Sequence, residues 1–145
     1  MSKFDTSLHK KNKMKHDIRD KEDIKLMVDT FYGKVQASPI LGFIFDDIAG
    51  VDWETHLPNM YNFWAGILFG ENQFRGNPML KHIILSKKTQ MSDIQFAEWL
   101  RLFSETLDEL FEGDKAEEAM TRAQMIARNF LYRINEAAES ESTGF

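Results

Sequence analysis

A single histidine set among large apolar side chains constrains this chain more than any other feature of its sequence. Positions three or four residues apart lie on one face of an α-helix. After Trp53, this spacing aligns one imidazole with aromatic and aliphatic side chains: His56, Met60, Phe63, Trp64 and Ile67. The pattern predicts a helix whose apolar face carries one polar ring.

A second stripe of the same kind comes later in the chain and contains Phe96, Trp99, Leu100, Phe103 and Leu107. Either stripe taken alone is typical of a helix that packs on a hydrophobic core. Three side chains expected on these apolar surfaces nevertheless carry hydrogen-bond donors: Tyr32, His56 and Trp99. Because unsatisfied donors in an apolar environment are costly, this polar set indicates a bound ligand.

The composition limits the chain to one helical domain. Its 145 residues are enough for one core, and they include 12 Phe, 3 Trp and 8 Met. No stretch alternates regularly between apolar and polar residues, so a β-sheet is not expected. We therefore predict an all-α fold.

Charge and residue usage exclude several classes of function. The formal net charge of −5 argues against a nucleic-acid binder. The absence of cysteine rules out disulfides, thiolate catalysis and thiolate metal ligands. No apolar run is long enough to cross a membrane, and the first residues lack the apolar segment of a signal peptide. We expect a cytoplasmic protein that binds neither nucleic acid nor membrane.

Capping and breaking signals divide the chain into helices and loops. Pro58 is unusual among them, because a proline beyond the first helical turn removes a backbone hydrogen bond. We therefore expect that the regular part of this helix begins only at about Thr55 or that its start is kinked. A short helix carrying His82 is expected between the second and third of four longer helices, which are predicted over 21–37, 52–69, 92–111 and 114–138. We expect a polar N-terminal extension, one domain and a disordered tail over 1–20, 21–138 and 139–145, respectively.

The histidines do not fit a zinc or di-iron site. Only four occur, His9 and His16 belong to the polar N-terminal arm, and the chain has no His-Glu-x-x-His or Glu-x-x-His motif. A glycine-rich phosphate loop is also missing. A large flat cofactor, by contrast, needs long apolar walls and one soft nitrogen ligand. His56 and His82, each in its apolar stretch, therefore indicate a buried haem.

Several ordered motifs resemble the truncated haemoglobins, and in particular the third group of that family. The resemblance runs from about Asp23 to about Tyr132. It rests on Phe31-Tyr32, Leu41 to Phe45, Trp53-x-x-His56, Phe63-Trp64-x-Gly66-x-Leu68-x-Gly70, Phe74-x-Gly76-x-Pro78-x-x-x-His82, Phe96-x-x-Trp99-Leu100-x-Leu102-Phe103 and Arg122 to Ala127. The di-glycine motifs of the other two groups are missing. The resemblance implies a shortened globin fold, with helices stacked two over two around haem b (iron protoporphyrin IX).

The resemblance also implies roles for individual residues. His82 would be the proximal ligand of the haem iron, and the distal polar set would consist of Tyr32, His56 and Trp99. The porphyrin would be contacted by Phe31, Phe45, Met60, Phe63, Trp64 and Phe103. The haem propionates would be anchored by Arg75 and Lys81.

The implied function is the binding of dioxygen and other small diatomic ligands. Hydrogen bonds to charged groups contribute about 1.5–3 kcal/mol each, so two donors would slow release of a partly charged ligand by about two to four orders of magnitude. Such a pocket favours oxygen retention, or chemistry on nitric oxide or peroxide, over transport. An enzyme of this kind would need a separate reductase, because the chain has no dinucleotide or flavin motif.

Two other functions remain open on the sequence alone. In the first, the chain is a cofactor-free helical interaction module in which every aromatic residue belongs to the core. Such a protein would be colourless and would tolerate loss of His82. In the second, the chain is a haem-based sensor that signals through a partner protein.

Overall fold

The computed structural model describes residues 15–44, 52–71 and 91–143, and these ranges contain four α-helices and no β-strand. We number them α1 (Lys21–Ala37), α2 (Trp53–Phe69), α3 (Asp93–Leu110) and α4 (Asp114–Thr143). The predicted all-α class is confirmed. None of the helices in the described ranges is both long enough and apolar enough to span a bilayer.

The starts of the first three helices follow from local capping. The side chain of Asp20 accepts a hydrogen bond from the Asp23 backbone N–H, and Asp52 does the same for Glu54. At the start of α3, the backbone N–H and the hydroxyl of Ser92 both donate to Oε1 of Gln95 at 2.8 Å. These contacts satisfy donors that the first helical turn leaves open.

The predicted helix ends agree closely with the structure for α1, α2 and α3. Helix α2 ends where Gly70 takes a left-handed conformation (φ 74°), and its N–H bonds back to the helix. Pro58 lies inside this helix, which already begins at Trp53. Proline at this position lacks the N–H that would bond the Glu54 carbonyl, and the helix continues in spite of that loss.

The last helix is longer than predicted. It runs to Thr143, whereas the expected end was Ala138. Residues 136–139 are alanine and glutamate, which favour helix. The next glycine or proline after them in the sequence is Gly144. Helix α4 therefore includes residues 139–143, which the sequence analysis placed after its end.

Residues before α1 also pack on the helices. Ile18 is 2% exposed and belongs to the main core. The Asp17 carboxylate accepts hydrogen bonds from the backbone N–H groups of Lys115 (2.8 Å) and Ala116 (2.9 Å) at the start of α4. The proposed division of the chain stays a prediction, but these contacts join part of the expected N-terminal extension to the helical domain.

The helices form two packed pairs. Helix α1 packs on α2, α3 packs on α4, and the pairs meet where α1 contacts α3 and α2 contacts α4. The centre of the core is built from large side chains with no more than 2% exposure: Ile24, Met27, Phe31, Trp64 and Phe103. This is the expected two-over-two arrangement, and it brings three helices to one aromatic cluster.

Candidate functional site

Tyr32 brings a hydroxyl into an almost dry environment. The residue lies on α1 and is 7% exposed, and its neighbour Phe31 is 1% exposed. The two rings meet edge to face at 4.8 Å between centroids. Burial raises the pKa of the Tyr32 hydroxyl well above its ordinary value, because the charged phenolate is poorly solvated there. The hydroxyl therefore stays protonated at neutral pH and keeps its ability to donate.

His56 reaches the same place from α2. Its imidazole is half-buried and meets the Tyr32 ring edge to face, with centroids 5.1 Å apart and planes at 84°. The backbone N–H of His56 donates to the carbonyl of Asp52 at 2.8 Å, so the residue belongs to the first hydrogen-bonded turn of the helix. The cap at Asp52 therefore sets the position of His56 in the first turn of α2.

Trp99 approaches from α3 and reaches the cluster through Phe31. Its half-buried indole meets the Phe31 ring edge to face at 5.6 Å. Because Phe31 also contacts Tyr32, one aromatic ring connects two of the predicted donors. The three predicted polar residues come from three different helices and belong to one set of contacting aromatic rings.

The aromatic residues behind this cluster belong to the core. Phe103 has no exposed surface and packs nearly parallel to Trp64 (5.0 Å, 18°) and to Trp99 (5.9 Å, 7°). Trp64 is 2% exposed. Both rings pack on other aromatic side chains, and their predicted contact with the porphyrin stays a prediction. Met60 and Phe63 are half-buried on α2 and follow His56 by one and two turns, which suits a lining role.

One residue of the cluster had no role in the sequence-based site. Trp53 is half-buried, and its indole contacts both Tyr32 (5.6 Å) and His56 (5.5 Å). Its position three residues before His56 places both rings on one helix face, and that spacing was the available signal. The contact with Tyr32, on another helix, has no signature in the sequence.

The other half of the predicted site lies outside the described residues. This holds for the predicted iron ligand His82, for the porphyrin contact Phe45 and for the propionate ligands Arg75 and Lys81. Their roles stay predictions.

The chemistry of the described cluster fits the distal side of a haem. A Tyr32 hydroxyl and a Trp99 indole N–H are donors that do not ionise at neutral pH. They lie among aromatic rings, where a hydrogen bond is stronger than in water. Such a surface suits a flat apolar cofactor whose small ligand needs a few well-placed donors.

Comparisons with known proteins identify the family to which the chain is similar. The model of the bacterial-like globin family matches residues 16–132. The group 3 truncated hemoglobin of Campylobacter jejuni is 36% identical over 127 residues, which cover 83% of this chain and 97% of that protein. The crystal structure of the group III truncated hemoglobin from Campylobacter jejuni superposes with a TM-score of 0.73 at 34% identity, and covers 83% of this chain and 95% of the other.

The family match starts at residue 16, which agrees with the packing of Asp17 and Ile18 on the helices. The similarity spans nearly the whole length of the relative, and the superposition extends it from sequence to helix arrangement. The chain therefore belongs to the bacterial-like globin family and, within it, to the truncated haemoglobins of group III.

Proposed function

We propose that this protein retains dioxygen and other diatomic ligands on haem b, with His82 as the iron ligand and Tyr32 and Trp99 as donors to the bound ligand. Membership of the globin family implies haem and small diatomic ligands. The observation that supports the finer proposal is the convergence of Tyr32, His56 and Trp99 from three helices on one aromatic cluster. His56 would lie at the edge of the pocket.

Haem, when bound, supplies the iron to which a diatomic ligand attaches. The chain contributes the surroundings of that ligand. Buried Tyr32 keeps its proton because burial raises its pKa, so its hydroxyl donates throughout the neutral range. Each hydrogen bond to a ligand with partial negative charge is worth about 1.5–3 kcal/mol.

Two such donors would slow ligand release by about two to four orders of magnitude relative to an apolar pocket. A carrier must release its ligand readily, so this pocket favours retention of oxygen or chemistry on nitric oxide or peroxide. Turnover of that kind needs electrons from a separate reductase, which we include in the proposal.

The remaining contacts with haem complete the proposal. Phe31 and Phe45 would press on the porphyrin, and its other apolar contacts would be Met60, Phe63, Trp64 and Phe103. Arg75 and Lys81 would neutralise the propionates. We place the protein in the cytoplasm, with no role in nucleic-acid or membrane binding.

The visible absorption spectrum of the purified protein, recorded before and after addition of haem, tests this function. We expect a sharp Soret band that shifts with dithionite and with carbon monoxide. The H82A variant should lose or strongly alter that band, since it lacks the proposed iron ligand. H16A is the matched control, because His16 is exposed and lies away from the cluster.

A protein that stays colourless and gains no such band with haem would contradict the proposal and favour the cofactor-free interaction module. An H82A spectrum identical to that of H16A would contradict the assignment of His82 alone.

A further inference from the structure

Three aromatic rings from α1 and α2 contact one another in a closed triangle. The centroid distances are 5.1 Å for Tyr32–His56, 5.5 Å for Trp53–His56 and 5.6 Å for Tyr32–Trp53. His56 meets both of its neighbours nearly perpendicularly, at 84° and 83°. The imidazole therefore has Tyr32 as one neighbour and the indole of Trp53 as another.

The backbone that carries Trp53 and His56 is fixed by the start of α2. The Asp52 carboxylate accepts hydrogen bonds from the Glu54 N–H (3.2 Å) and from the Thr55 hydroxyl (3.0 Å). The Asp52 carbonyl accepts from the N–H of His56 at 2.8 Å. Within this turn, helix geometry alone sets the spacing between Trp53 and His56. The indole is thus placed in contact with the imidazole at the start of the helix.

We propose that Trp53 is a positioning residue that holds the His56 imidazole against Tyr32 and thereby sets how readily a ligand enters the pocket. This inference rests on the proposed function, in which Tyr32 and His56 border the ligand site. Loss of the indole removes one of the ring contacts of the imidazole and should raise the population of the conformers that point away from Tyr32. The edge-to-face contact that is lost corresponds to a shift of about twofold to tenfold in the equilibrium between the two positions.

The first test needs no haem. In protein labelled at histidine, the ring protons of His56 should carry ring-current shifts from Trp53 and Tyr32, and H56A identifies their signals. W53F keeps a ring at this position and should leave His56 in one ordered environment. W53L keeps apolar volume without an aromatic edge, and should move the His56 signals toward those of an exposed histidine.

The second test uses the haem-loaded protein and the rate of carbon monoxide association after photolysis. W53L should raise this rate by about twofold to tenfold, and W53F should stay within about twofold of the wild type. In an H56A background, W53L should have no further effect, because the positioned group is gone. Y132L is the control, since Tyr132 is 63% exposed on α4.

Equal effects of W53L with and without His56, or His56 signals that do not respond to W53L, would overturn the inference. Circular dichroism first confirms helical content, and W53M replaces W53L if the latter unfolds. A protein that binds no haem contradicts the proposed function, whereas a haem-loaded protein with additive W53L and H56A effects contradicts only the role of Trp53.

Discussion

Tyr32 and His56 come from different helices, yet their rings meet edge to face with centroids 5.1 Å apart. The contact joins α1 to the first turn of α2 and leaves Tyr32 only 7% exposed. Burial raises the pKa of this hydroxyl, so it stays protonated at neutral pH and is able to donate to a ligand in the proposed pocket.

The Y32F variant of the haem-loaded protein should therefore release oxygen faster. The substitution keeps the ring and its packing and removes one donor, which corresponds to about tenfold to a hundredfold in the dissociation rate. Stopped-flow displacement of oxygen measures this rate. Y61F is the matched control, because the Tyr61 hydroxyl donates to Asp29 on the outer side of the α1–α2 contact. Equal oxygen dissociation rates for Y32F and Y61F would contradict the assignment of Tyr32 to the pocket.

The W99F variant should change the C–O stretching frequency of carbon monoxide bound to the haem-loaded protein. Trp99 contacts Phe31, so an indole N–H at this position can act on a ligand near Tyr32. A nearby donor draws electron density toward the ligand and lowers its C–O stretching frequency, and phenylalanine lacks that donor. Infrared spectra should show a higher frequency in W99F than in the wild type. An unchanged band would mean that the indole does not face the ligand.

Asp17 should stabilise the protein in a pH-dependent way. Burial alone would raise the pKa of its carboxyl group, but hydrogen bonds from the N–H groups of Lys115, Ala116 and Ile18 outweigh burial and hold the pKa below its ordinary value. A lowered folded-state pKa means that the unfolded chain binds more protons. The stabilisation is therefore complete above the unfolded pKa of about 3.9 and is lost as the pH falls through the folded value.

Urea denaturation of D17N measures this contribution. At pH 7 the variant should be less stable than the wild type by about 0.5–2 kcal/mol, because an amide has one acceptor oxygen where the carboxylate offers two to the N–H groups of Lys115 and Ala116. The difference should shrink below pH 4. E112Q, at an exposed neighbouring position, is the control. If the stability difference between D17N and the wild type is the same at pH 7 and pH 3, the charge of the Asp17 carboxylate does not contribute to it.

Gly113 should not tolerate a side chain. Its φ is 145°, and an added Cβ would come within 2.5 Å of Asp17 Cγ. We expect G113A to destabilise the protein by about 1–3 kcal/mol through backbone strain and displacement of the Asp17 cap. G33A is the matched control, because Gly33 lies inside α1 and a Cβ there meets nothing within 4 Å. It should stabilise the protein by about 0.5–1 kcal/mol. Thermal unfolding of both variants separates the two effects, and equal shifts of the same sign would contradict this explanation.

The helices were largely predictable because their ends depend on local signals. The cap contacts at the starts of the first three helices span no more than three residues along the chain, and they involve Asp20, Asp52 and Ser92. Gly70 ends α2 because it adopts a left-handed conformation. The end of α4 was not predictable in this way, since alanine and glutamate continue a helix past Ala138 without a stop signal. Asp17 was missed for a different reason: it caps a helix that lies 98 residues further along the chain.

The sequence indicated that Tyr32, His56 and Trp99 would lie on apolar helix faces, but not how their rings would meet. Tyr32, His56 and Trp99 were proposed from their polarity and from the resemblance to truncated haemoglobins. Trp53 was visible as a neighbour of His56 on one helix face, but its contact with Tyr32 depends on how α1 crosses α2. Such crossings are set by side-chain packing over the whole interface, which the sequence of either helix alone does not reveal.

The oxygen dissociation rate of the haem-loaded Y32F/W99F double variant tests the central claim most directly. Two donors act on the ligand in the proposed pocket, so removing both while keeping their rings should speed release by about two to four orders of magnitude relative to the wild type. A double variant that releases oxygen at the wild-type rate, while still binding haem, would contradict retention by this pocket.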